Sequence, residues 1–504
     1  LGLQTREDSM RSIQHYINGQ SVDIANQKTH AVLNPATEEQ VAEIQHATSK
    51  EVNQAVASAK AALSDWGEAS IAQRTKLLYN FRNLVLENEH YIAELITEEH
   101  GKVHSDARGE VARGIENIEY ACGFAETLKG SYSEQASSGV DVYTIRQPVG
   151  VCVGITPFNF PVMVPLWMFP NAIACGNTFI LKPSDRNPSA PEFIIKLMNE
   201  AGFPKGVVNL INGGAETVNQ LLSHDDVDAV SFVGSTPVAK HIYESGTAGG
   251  KRVQALGGAK NHMVVLPDAD IDLAADSAVS AAYGSAGERC MAISVVVAVG
   301  EVAEPLVRAI SDRIDNLKIG PGMQPDSEMG PLISKEHRTR VVDYINSGEA
   351  EGATVVCDGR VHSPEQKGFY VGATLLDNVT TDMEVYRDEI FGPVLSVVRV
   401  QSFDDALDVI AKNQYGNGVA VFTRDGGTAR QFQKNVQAGM VGINVPIPVP
   451  VGYHSFGGWD DSLFGDTAMY GPEGMRFYTK QKVITSRWPD PTSSQIDLGF
   501  PQNT

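Results

Sequence analysis

Cysteines are few in this sequence, and it has neither a long apolar run nor an excess of basic residues. Its 504 residues include five cysteines, an odd number without a Cys-x-x-Cys pair, so neither a disulfide framework nor a metal site is indicated. No stretch of about 18 apolar residues is present, which excludes a typical transmembrane helix. The net charge of −21 argues against a nucleic-acid-binding protein, which needs a basic face. These absences favour a cytoplasmic protein without membrane or nucleic-acid partners.

Length and composition indicate a globular protein of several domains. A chain of 504 residues is too long for one compact core, so two or three domains are expected. The apolar content of 42% and the charged content of 20% are ordinary for such a protein. Residues 1–9 lack the basic segment and the apolar stretch of a secretory signal, so we expect no signal there.

Short apolar segments alternate with helical ones along most of the chain. Helical spacing of apolar residues predicts helices over 51–65, 72–99 and 105–128. Strands are predicted in two series, the first at 151–155, 178–181, 207–210, 229–233 and 263–266, the second at 295–299, 354–357, 394–400, 419–422 and 440–444. Helical segments separate these strands, which indicates βαβ units and a mostly parallel sheet in each of two α/β domains. Segments 129–147 and 475–488 alternate like antiparallel strands.

Four short motifs carry candidate chemistry. They are Pro-Phe-Asn-Phe-Pro at 157–161, Gln-Ala-Leu-Gly-Gly at 254–258, Gly-Ser-Ala-Gly-Glu-Arg-Cys at 284–290 and Glu-Ile-Phe-Gly-Pro at 389–393. Small residues before Cys290 leave backbone room for a substrate, and a thiolate there can attack a carbonyl carbon. Together these motifs resemble the aldehyde dehydrogenase superfamily, and the resemblance to one of its branches, described below, extends from about residue 11 to 488.

The resemblance implies a fold of two Rossmann-like α/β domains and a small β arm for oligomerisation. Residues 10–128 and 148–258 would form the NAD-binding domain, and 259–474 the catalytic domain. The arm would consist of 129–147 and 475–488, the segments that pair subunits in the family. On this basis we expect a homotetramer built as a dimer of dimers.

The resemblance also assigns the catalytic residues. Cys290 would attack the aldehyde to give a thiohemiacetal, which loses hydride to NAD and becomes a thioester. The tetrahedral oxyanion of such an adduct needs preorganised hydrogen-bond donors. The side-chain amide of Asn159 and the backbone N–H of Cys290 would supply them.

The cofactor site is predicted without the usual Gly-x-Gly-x-x-Gly fingerprint, which is missing after the candidate strands. Gly234 and Ser235 instead lie in a turn from a strand into a helix, where amide groups can meet a pyrophosphate. Lys182 and Asp185 follow another strand, and a carboxylate there would repel a 2′-phosphate, which favours NAD over NADP. By resemblance, the expected site also includes Thr156, Phe158 and Ser184, with Glu389 holding the nicotinamide ribose and Phe391 beside the nicotinamide.

One position departs from the family pattern and directs the prediction towards a thiol acceptor. The resemblance places Ala255 where most members carry a general-base glutamate that activates water. A methyl group accepts no proton, whereas a thiol with a pKa of about 8.5 needs less help than water. Coenzyme A is therefore the expected acceptor. The alternative is a hydrolytic NAD(P)-dependent aldehyde dehydrogenase that uses another base, such as Asp466, and a cysteine hydrolase with His262 is a remote third reading.

Further segments resemble one CoA-acylating branch of the family, which acts on methylmalonate and malonate semialdehyde. These are Ala-Leu-Gly-Gly-Ala-Lys-Asn-His at 255–262, Arg289 beside the nucleophile, and 455–459 through 464–466. The substrates of that branch carry a carboxylate, which Arg113 and Arg289 would bind. The branch releases CO₂ before transfer to CoA, so the expected products are propionyl-CoA or acetyl-CoA.

Overall fold

The computed structural model describes residues 10–24, 29–362, 367–489 and Thr492. Residues 1–9, for which no secretory signal is expected, lie outside this part of the chain. Across the described residues, none of the helices is long and apolar enough to cross a membrane.

The secondary structure alternates between helices and strands after a short β-rich start. The strands are β1 (Arg11–Ile13), β2 (His15–Ile17), β3 (Gln20–Val22), β4 (Thr29–Leu33), β5 (Gln40–Gln45), β6 (Tyr132–Ser137), β7 (Val140–Pro148), β8 (Val151–Ile155), β9 (Thr178–Lys182), β10 (Val208–Leu210), β11 (Ala229–Val233), β12 (Arg252–Leu256), β13 (Asn261–Val265), β14 (Ile293–Val299), β15 (Thr354–Cys357), β16 (Thr374–Asp377), β17 (Val394–Val400), β18 (Tyr415–Gly416), β19 (Gly418–Phe422), β20 (Met440–Ile443), β21 (Trp459–Asp460), β22 (Leu463–Phe464) and β23 (Thr479–Arg487). The α-helices are α1 (Ser49–Glu68), α2 (Ile71–Glu87), α3 (Glu89–His100), α4 (His104–Cys122), α5 (Met163–Ala174), α6 (Ser189–Glu200), α7 (Ala215–Ser223), α8 (Thr236–Ala248), α9 (Ile271–Tyr283), α10 (Ala303–Ile314), α11 (Lys335–Glu351), α12 (Glu384–Arg387), α13 (Phe403–Ala411), α14 (Gly426–Asn435) and α15 (Gly471–Phe477).

The larger sheet has eight strands in the order β22-β12-β11-β8-β9-β10-β2-β3. Its central strands β12, β11, β8, β9 and β10 are parallel, and antiparallel strands lie at both edges. Strands β8, β9 and β11 are buried along their whole length, as is typical of a parallel sheet covered on both faces. Helix α5 is buried and apolar on all sides, because it lies between this sheet and the other helices of the same face.

The second sheet has seven strands in the order β15-β16-β17-β14-β13-β19-β20, all parallel except for the edge strand β15. A separate antiparallel sheet, β23-β7-β6, is largely exposed. This confirms the expected fold class of two Rossmann-like α/β units with a small β arm. Strand β22 pairs with β12 in the larger sheet, although the sequence assigned it to the catalytic domain. The first residues of the predicted strand at 475–488 belong instead to helix α15.

One predicted helix is two helices in the structure, and the side chain of Asn88 explains the break. Residues 72–99 divide into α2 and α3 at Asn88, whose backbone is no longer helical. The Asn88 amide donates to the carbonyl of Leu84 at 2.8 Å and so satisfies the end of α2. Helix α4 similarly ends at Cys122, before Gly123, and not at 128 as predicted.

Candidate active site

The predicted site residues lie together outside the carboxyl ends of the central strands of the larger sheet. The chain passes from β8 to β9 on one side and returns to β11 on the other side of β8, so the strand order reverses there. Ligands bind open α/β sheets outside the carboxyl ends of the strands at such a reversal. Residues 156–159 follow β8, 183–185 follow β9, 234–235 follow β11, and 257–258 follow β12, while Lys182 is the last residue of β9. The turn that carries Cys290 precedes β14 of the second sheet and approaches the same strand ends.

The turn that carries Cys290, the predicted nucleophile, is held in an uncommon backbone conformation. Ser285 and Ala286 have φ values of 54° and 52°, and Gly287 follows with 73°. Left-handed backbone costs roughly 1–2 kcal/mol for a residue with a Cβ atom. Gly287 has no room for one, because a Cβ atom there would lie 2.2 Å from the carbonyl oxygen of Gly392. Close packing against the segment after Glu389 thus fixes the direction in which Cys290 is presented.

Three asparagine amides hold the peptide groups around the nucleophile. Asn159 Nδ2 donates to the carbonyl of Glu288 at 3.0 Å. Asn261 Nδ2 and Asn417 Nδ2 both donate to the carbonyl of Cys290, at 2.9 and 3.0 Å. An amide carries two N–H groups, so Asn159 keeps one donor for a substrate oxygen while it orders the turn. The sequence identified Asn159, but it gave no signal for the roles of Asn261 and Asn417.

A buried ion pair fixes the loop that carries Asn159. Lys102 Nζ lies 2.8 Å from Glu110 Oε2 and donates to the carbonyl oxygen of Asn159 at 2.6 Å. The other carboxylate oxygen of Glu110 accepts from the backbone N–H groups of Val162 and Met163, at the start of α5. Removing one partner of such a pair typically costs about 3–5 kcal/mol. Sequence reasoning missed both charges, because they act through backbone atoms far along the chain.

The surroundings of Cys290 favour the protonated form of its thiol. Burial raises its pKa to about 12, with a further contribution from the charge of Glu389, while backbone N–H groups and Arg289 act in the opposite direction. Cys290, Arg289, Glu389 and Ala259 line one cavity. The thiolate is the reactive form, so the proton must be removed as the substrate is attacked.

The sequence placed Ala255 where most family members carry a general-base glutamate, and the geometry of β12 moves this position to Leu256. Successive residues of a strand point to opposite faces, and Ala255 lies in the cluster formed with α1, α7 and α8. Leu256 belongs to the cluster on the other face, against which Cys290 packs. The side chain that β12 presents on the face of the nucleophile is therefore Leu256 and not Ala255. The conclusion that this strand supplies no proton acceptor is unchanged, because leucine is as inert as alanine.

The two other candidate bases are poorly placed. Strand β22 runs antiparallel to β12 with Phe464 opposite Ala255, so Asp466 lies beyond it, away from the turn at 257–258. The Asp466 side chain is exposed there. His262 is buried in the second sheet, where its Nε2 lies 3.0 Å from the hydroxyl of Tyr386. Neither the hydrolytic reading through Asp466 nor a Cys–His pair through His262 gains support from these positions.

Both predicted substrate arginines lie along helix α4. Arg289 Nη2 is 2.7 Å from Asp106 Oδ1 in the first turn of α4, and its guanidinium packs on Gly284, where a Cβ atom would be 2.6 Å from Nη1. Arg113 is two turns further along the same face of α4 and lies 2.8 Å from Glu116. The Arg113 side chain is 41% exposed, so its guanidinium is accessible on that face.

The start of α8 is open in the way that a pyrophosphate site requires. Ser235 is its N-cap but makes no capping hydrogen bond with its side chain, and Ser235 is exposed. The first amides of such a helix lack intrahelical partners and suit an anion. The Thr236 hydroxyl accepts from the N–H of Gly258 at 2.8 Å, which brings the turns after β11 and β12 together. Nearby, the buried hydroxyl of Thr156 has no partner among the described residues.

The predicted adenosine-ribose residues form a small charged cluster. Lys182 Nζ lies 3.6 Å from Asp185 Oδ1, and His46 Nε2 lies 3.1 Å from Asp185 Oδ2. Burial alone would raise the pKa of Asp185, but His46 and Lys182 outweigh it and lower this pKa to about 2. The adjacent Arg186 approaches Glu336 at 4.0 Å, and the Ser184 hydroxyl accepts from the N–H of Arg186. A carboxylate and an amine at this strand end fit a ribose diol. Sequence reasoning missed His46.

The nicotinamide end of the predicted site adjoins the nucleophile. Glu389 Oε1 accepts from the N–H of Ala259 at 3.0 Å, and burial raises the pKa of Glu389 to about 7. Its other oxygen approaches Gly258, where a Cβ atom would be only 2.5 Å away. Phe391 has a positive φ of 58°, and its carbonyl accepts from His337 Nε2 at 2.6 Å. The rings of Phe391 and Phe158 meet edge to face at 5.9 Å, so two aromatic side chains flank this end.

Similarity to known proteins identifies the family of this chain. The model of the aldehyde dehydrogenase family matches residues 22–484. The chain is 52% identical to a malonate-semialdehyde dehydrogenase of Pseudomonas aeruginosa, over 98% of this chain and 100% of that protein. A crystal structure of methylmalonate-semialdehyde dehydrogenase from Oceanimonas doudoroffii superposes with a TM-score of 0.94 at 52% identity, covering 96% and 99% of the two chains.

A second solved structure contains a cofactor. It is a putative methylmalonate-semialdehyde dehydrogenase from Sinorhizobium meliloti 1021 complexed with NAD, with a TM-score of 0.95 and 46% identity, covering 97% of this chain and 100% of that one. The family match and the near full-length relatives are decisive for membership. This chain belongs to the aldehyde dehydrogenase family.

Proposed function

We propose that the protein is an NAD-dependent, CoA-acylating dehydrogenase of malonate and methylmalonate semialdehyde. Relatives named malonate-semialdehyde dehydrogenase or methylmalonate-semialdehyde dehydrogenase are 46–52% identical to it over nearly their whole length. The CoA-acylating part of the proposal rests on Leu256, whose apolar side chain lies in the same hydrophobic cluster that Cys290 packs against. Water at such a site has no base to activate it from this strand.

Cys290 performs the covalent chemistry in this proposal. Its sulfur bonds to the aldehyde carbon as the thiol proton leaves, and the amide of Asn159 with the N–H of Cys290 stabilises the oxyanion. NAD, bound by the residues at the carboxyl ends of β8, β9 and β11 and by Glu389, accepts the hydride from this adduct. The product on the protein is a thioester of Cys290. The turn geometry and the three asparagine amides keep the sulfur in place during these steps.

Arg289 and Arg113 provide the proposed carboxylate site. Arg289 Nη2 is occupied by Asp106, so a substrate carboxylate would meet the remaining donors of its planar fork. Loss of CO₂ breaks the bond between the carboxylate carbon and the α-carbon, and the thioester carbonyl takes up the electron pair as an enolate. Protonation of the enolate then gives an acetyl or propionyl thioester on Cys290.

The last step transfers the acyl group to CoA. The CoA sulfur attacks the thioester carbonyl, its proton returns to the sulfur of Cys290, and acetyl-CoA or propionyl-CoA leaves. A thiol is ionised in part near neutral pH and therefore tolerates a site without a base. Because Leu256 is apolar and cannot act as a base, water is not activated at this position, and the thioester persists until CoA arrives.

Assembly and location are part of the same proposal. Strands β6, β7 and β23 form an exposed sheet, in which Tyr132 and Val483 are 63% and 59% exposed. We assign this sheet to subunit pairing in a homotetramer. The five free cysteines, which include the nucleophile Cys290, suit a reducing, cytoplasmic setting.

The test is turnover with and without CoA. With malonate semialdehyde and NAD alone, the enzyme should form NADH in a burst near one equivalent per active subunit, with CO₂ released. Addition of CoA should give steady turnover and acetyl-CoA. Steady turnover to free acid without CoA would replace this proposal by the hydrolytic one.

A further inference from the structure

His46 lies beside the predicted ribose carboxylate, in a segment to which the sequence gave no role. It follows β5 and precedes α1, whose N-cap is Thr48. Its Nε2 approaches Asp185 Oδ2 at 3.1 Å, while Lys182 approaches the other carboxylate oxygen at 3.6 Å. The two partners thus hold the two oxygens of Asp185 from different directions.

The imidazole ring is itself held by packing. It stacks on the ring of His30 with a centroid distance of 3.9 Å and an interplanar angle of 11°. Its Cε1 edge lies against Gly214 at the start of α7, where a Cβ atom would be 3.5 Å away. The Nε2 atom is buried, and its approach to Asp185 Oδ2 at 3.1 Å is its principal polar contact.

Asp185 alone is loosely placed for a recognition residue. Its side chain is 36% exposed, and an aspartate is one methylene shorter than a glutamate, so its carboxylate stays close to the backbone. A carboxylate that must accept a hydrogen bond from a ribose hydroxyl benefits from an orientation fixed before binding. Two partners that approach the two carboxylate oxygens from different directions supply such an orientation.

We propose that His46 is a positioning residue for cofactor recognition, which orients the Asp185 carboxylate towards the 2′-hydroxyl of the adenosine ribose. The inference rests on the proposed cofactor site at the carboxyl end of β9. In this proposal His46 contributes to the binding of one hydroxyl of the ligand and not to the stability of the fold in general. Replacement of His46 should therefore not change the affinity for a ligand without that hydroxyl.

The experiment compares two adenosine fragments by calorimetry on the full chain. The probes are 5′-AMP and 2′-deoxy-5′-AMP, and the variants are His46→Leu and His46→Gln, with His90→Leu on α3 as a matched exposed control. His46→Leu should weaken the binding of 5′-AMP by about fivefold, which corresponds to one ordinary hydrogen bond. Its affinity for 2′-deoxy-5′-AMP should stay within about twofold of the wild-type value. His46→Gln keeps a donor and should restore part of the preference for the hydroxyl, and His90→Leu should match the wild type.

The outcomes separate the inference from the site on which it rests. Equal weakening of both probes by His46→Leu, or no weakening of either, overturns the positioning role while the cofactor site stands. Wild-type protein that binds neither probe overturns the cofactor site and this inference with it. Melting temperatures of all variants establish that they are folded, and if His46→Leu does not fold, loss of the hydroxyl preference in the folded His46→Gln protein overturns the proposal.

Discussion

Ala255 and Leu256 are neighbours on β12, and their side chains lie on opposite faces of the larger sheet. Ala255 belongs to the cluster under α1, α7 and α8, whereas Leu256 shares the cluster that Cys290 contacts. Both residues are buried, at 0% and 3% exposure, so each position accepts a carboxylate only at a cost. The face, and not the identity of the residue, decides which of them could act on a thioester.

Glutamate substitutions at the two positions should therefore behave differently. Leu256→Glu places a carboxylate on the face of Cys290 and should give steady NADH formation without CoA. Ala255→Glu should destabilise the protein by several kcal/mol, since it buries a charge in the opposite cluster, and should not restore hydrolysis. NADH assays without CoA and thermal melts of both variants measure these effects. CoA-independent turnover by Ala255→Glu and not by Leu256→Glu would show that residue 255 occupies the position of the general base.

Cys290 should be indispensable for chemistry and dispensable for cofactor binding. Cys290→Ala should lower NADH formation by at least about 10³-fold, because no other thiol can form the thioester. NAD affinity, measured by calorimetry, should stay within about threefold of wild type, since the predicted cofactor contacts come from other residues. Cys357→Ala is the matched control, as this half-buried thiol lies on the edge strand β15. Retained turnover in Cys290→Ala would refute the assigned nucleophile.

Reactivity of Cys290 should depend on Glu389 in a pH-dependent manner. Burial raises the pKa of Glu389 to about 7, so the carboxylate becomes charged as the pH rises through that value. Its charge is one of the causes that raise the pKa of Cys290 after burial. Glu389→Gln should therefore be alkylated by iodoacetamide at the wild-type rate near pH 6 and about two- to tenfold faster at pH 8–9.

The control for this measurement is Cys290→Ala, which reports alkylation of the other cysteines. Slower alkylation of Glu389→Gln above pH 7 would show instead that Glu389 removes the thiol proton. That result would make it a general base.

The arginines should discriminate substrates by charge. Replacing Arg289 or Arg113 with leucine should lower kcat/KM for malonate semialdehyde by about 10- to 100-fold and affect propanal much less, because propanal has no carboxylate. Arg108→Leu is the matched control, since Arg108 is an exposed residue of α4 that pairs with Glu89. Equal losses on both substrates would indicate that Arg289 serves the turn, through Asp106, and not the substrate.

Asp185 should set the preference between NAD and NADP. Asp185→Asn removes the negative charge but keeps the size of the side chain, so binding of 2′,5′-ADP should improve relative to 5′-AMP by about tenfold. The pKa of Asp185 is about 2, so the carboxylate stays charged across the neutral range, and the wild-type protein should prefer 5′-AMP throughout pH 5–8. Unchanged relative affinity in Asp185→Asn would exclude this carboxylate from recognition of the ribose.

The sequence was sufficient for the parallel strands and for the residues within contiguous motifs. Strands β8, β11 and β17 match their predicted bounds, because buried parallel strands consist of short continuous apolar runs. Strand β12 was not predicted, so the sheet faces on which Ala255 and Leu256 lie were not predicted either. Register and facing depend on pairing with β11 and β22, which a local pattern does not contain.

Residues that act through backbone atoms escaped sequence reasoning for a different reason. Lys102 and Glu110 act on the loop at 159–163, and Asn417 acts on the carbonyl of Cys290 from 127 positions away. Their side chains do no chemistry, so no motif identifies them. Only the fold brings them to the catalytic turn.

The ion pair of Lys102 and Glu110 ties the order of one loop to the order of one helix. Helix α4 carries Glu110, and this pair contacts the backbone of the loop with Asn159. A local opening of α4 would therefore displace the predicted oxyanion donor without unfolding either parallel sheet. We expect activity to be lost on warming at a lower temperature than the global melt.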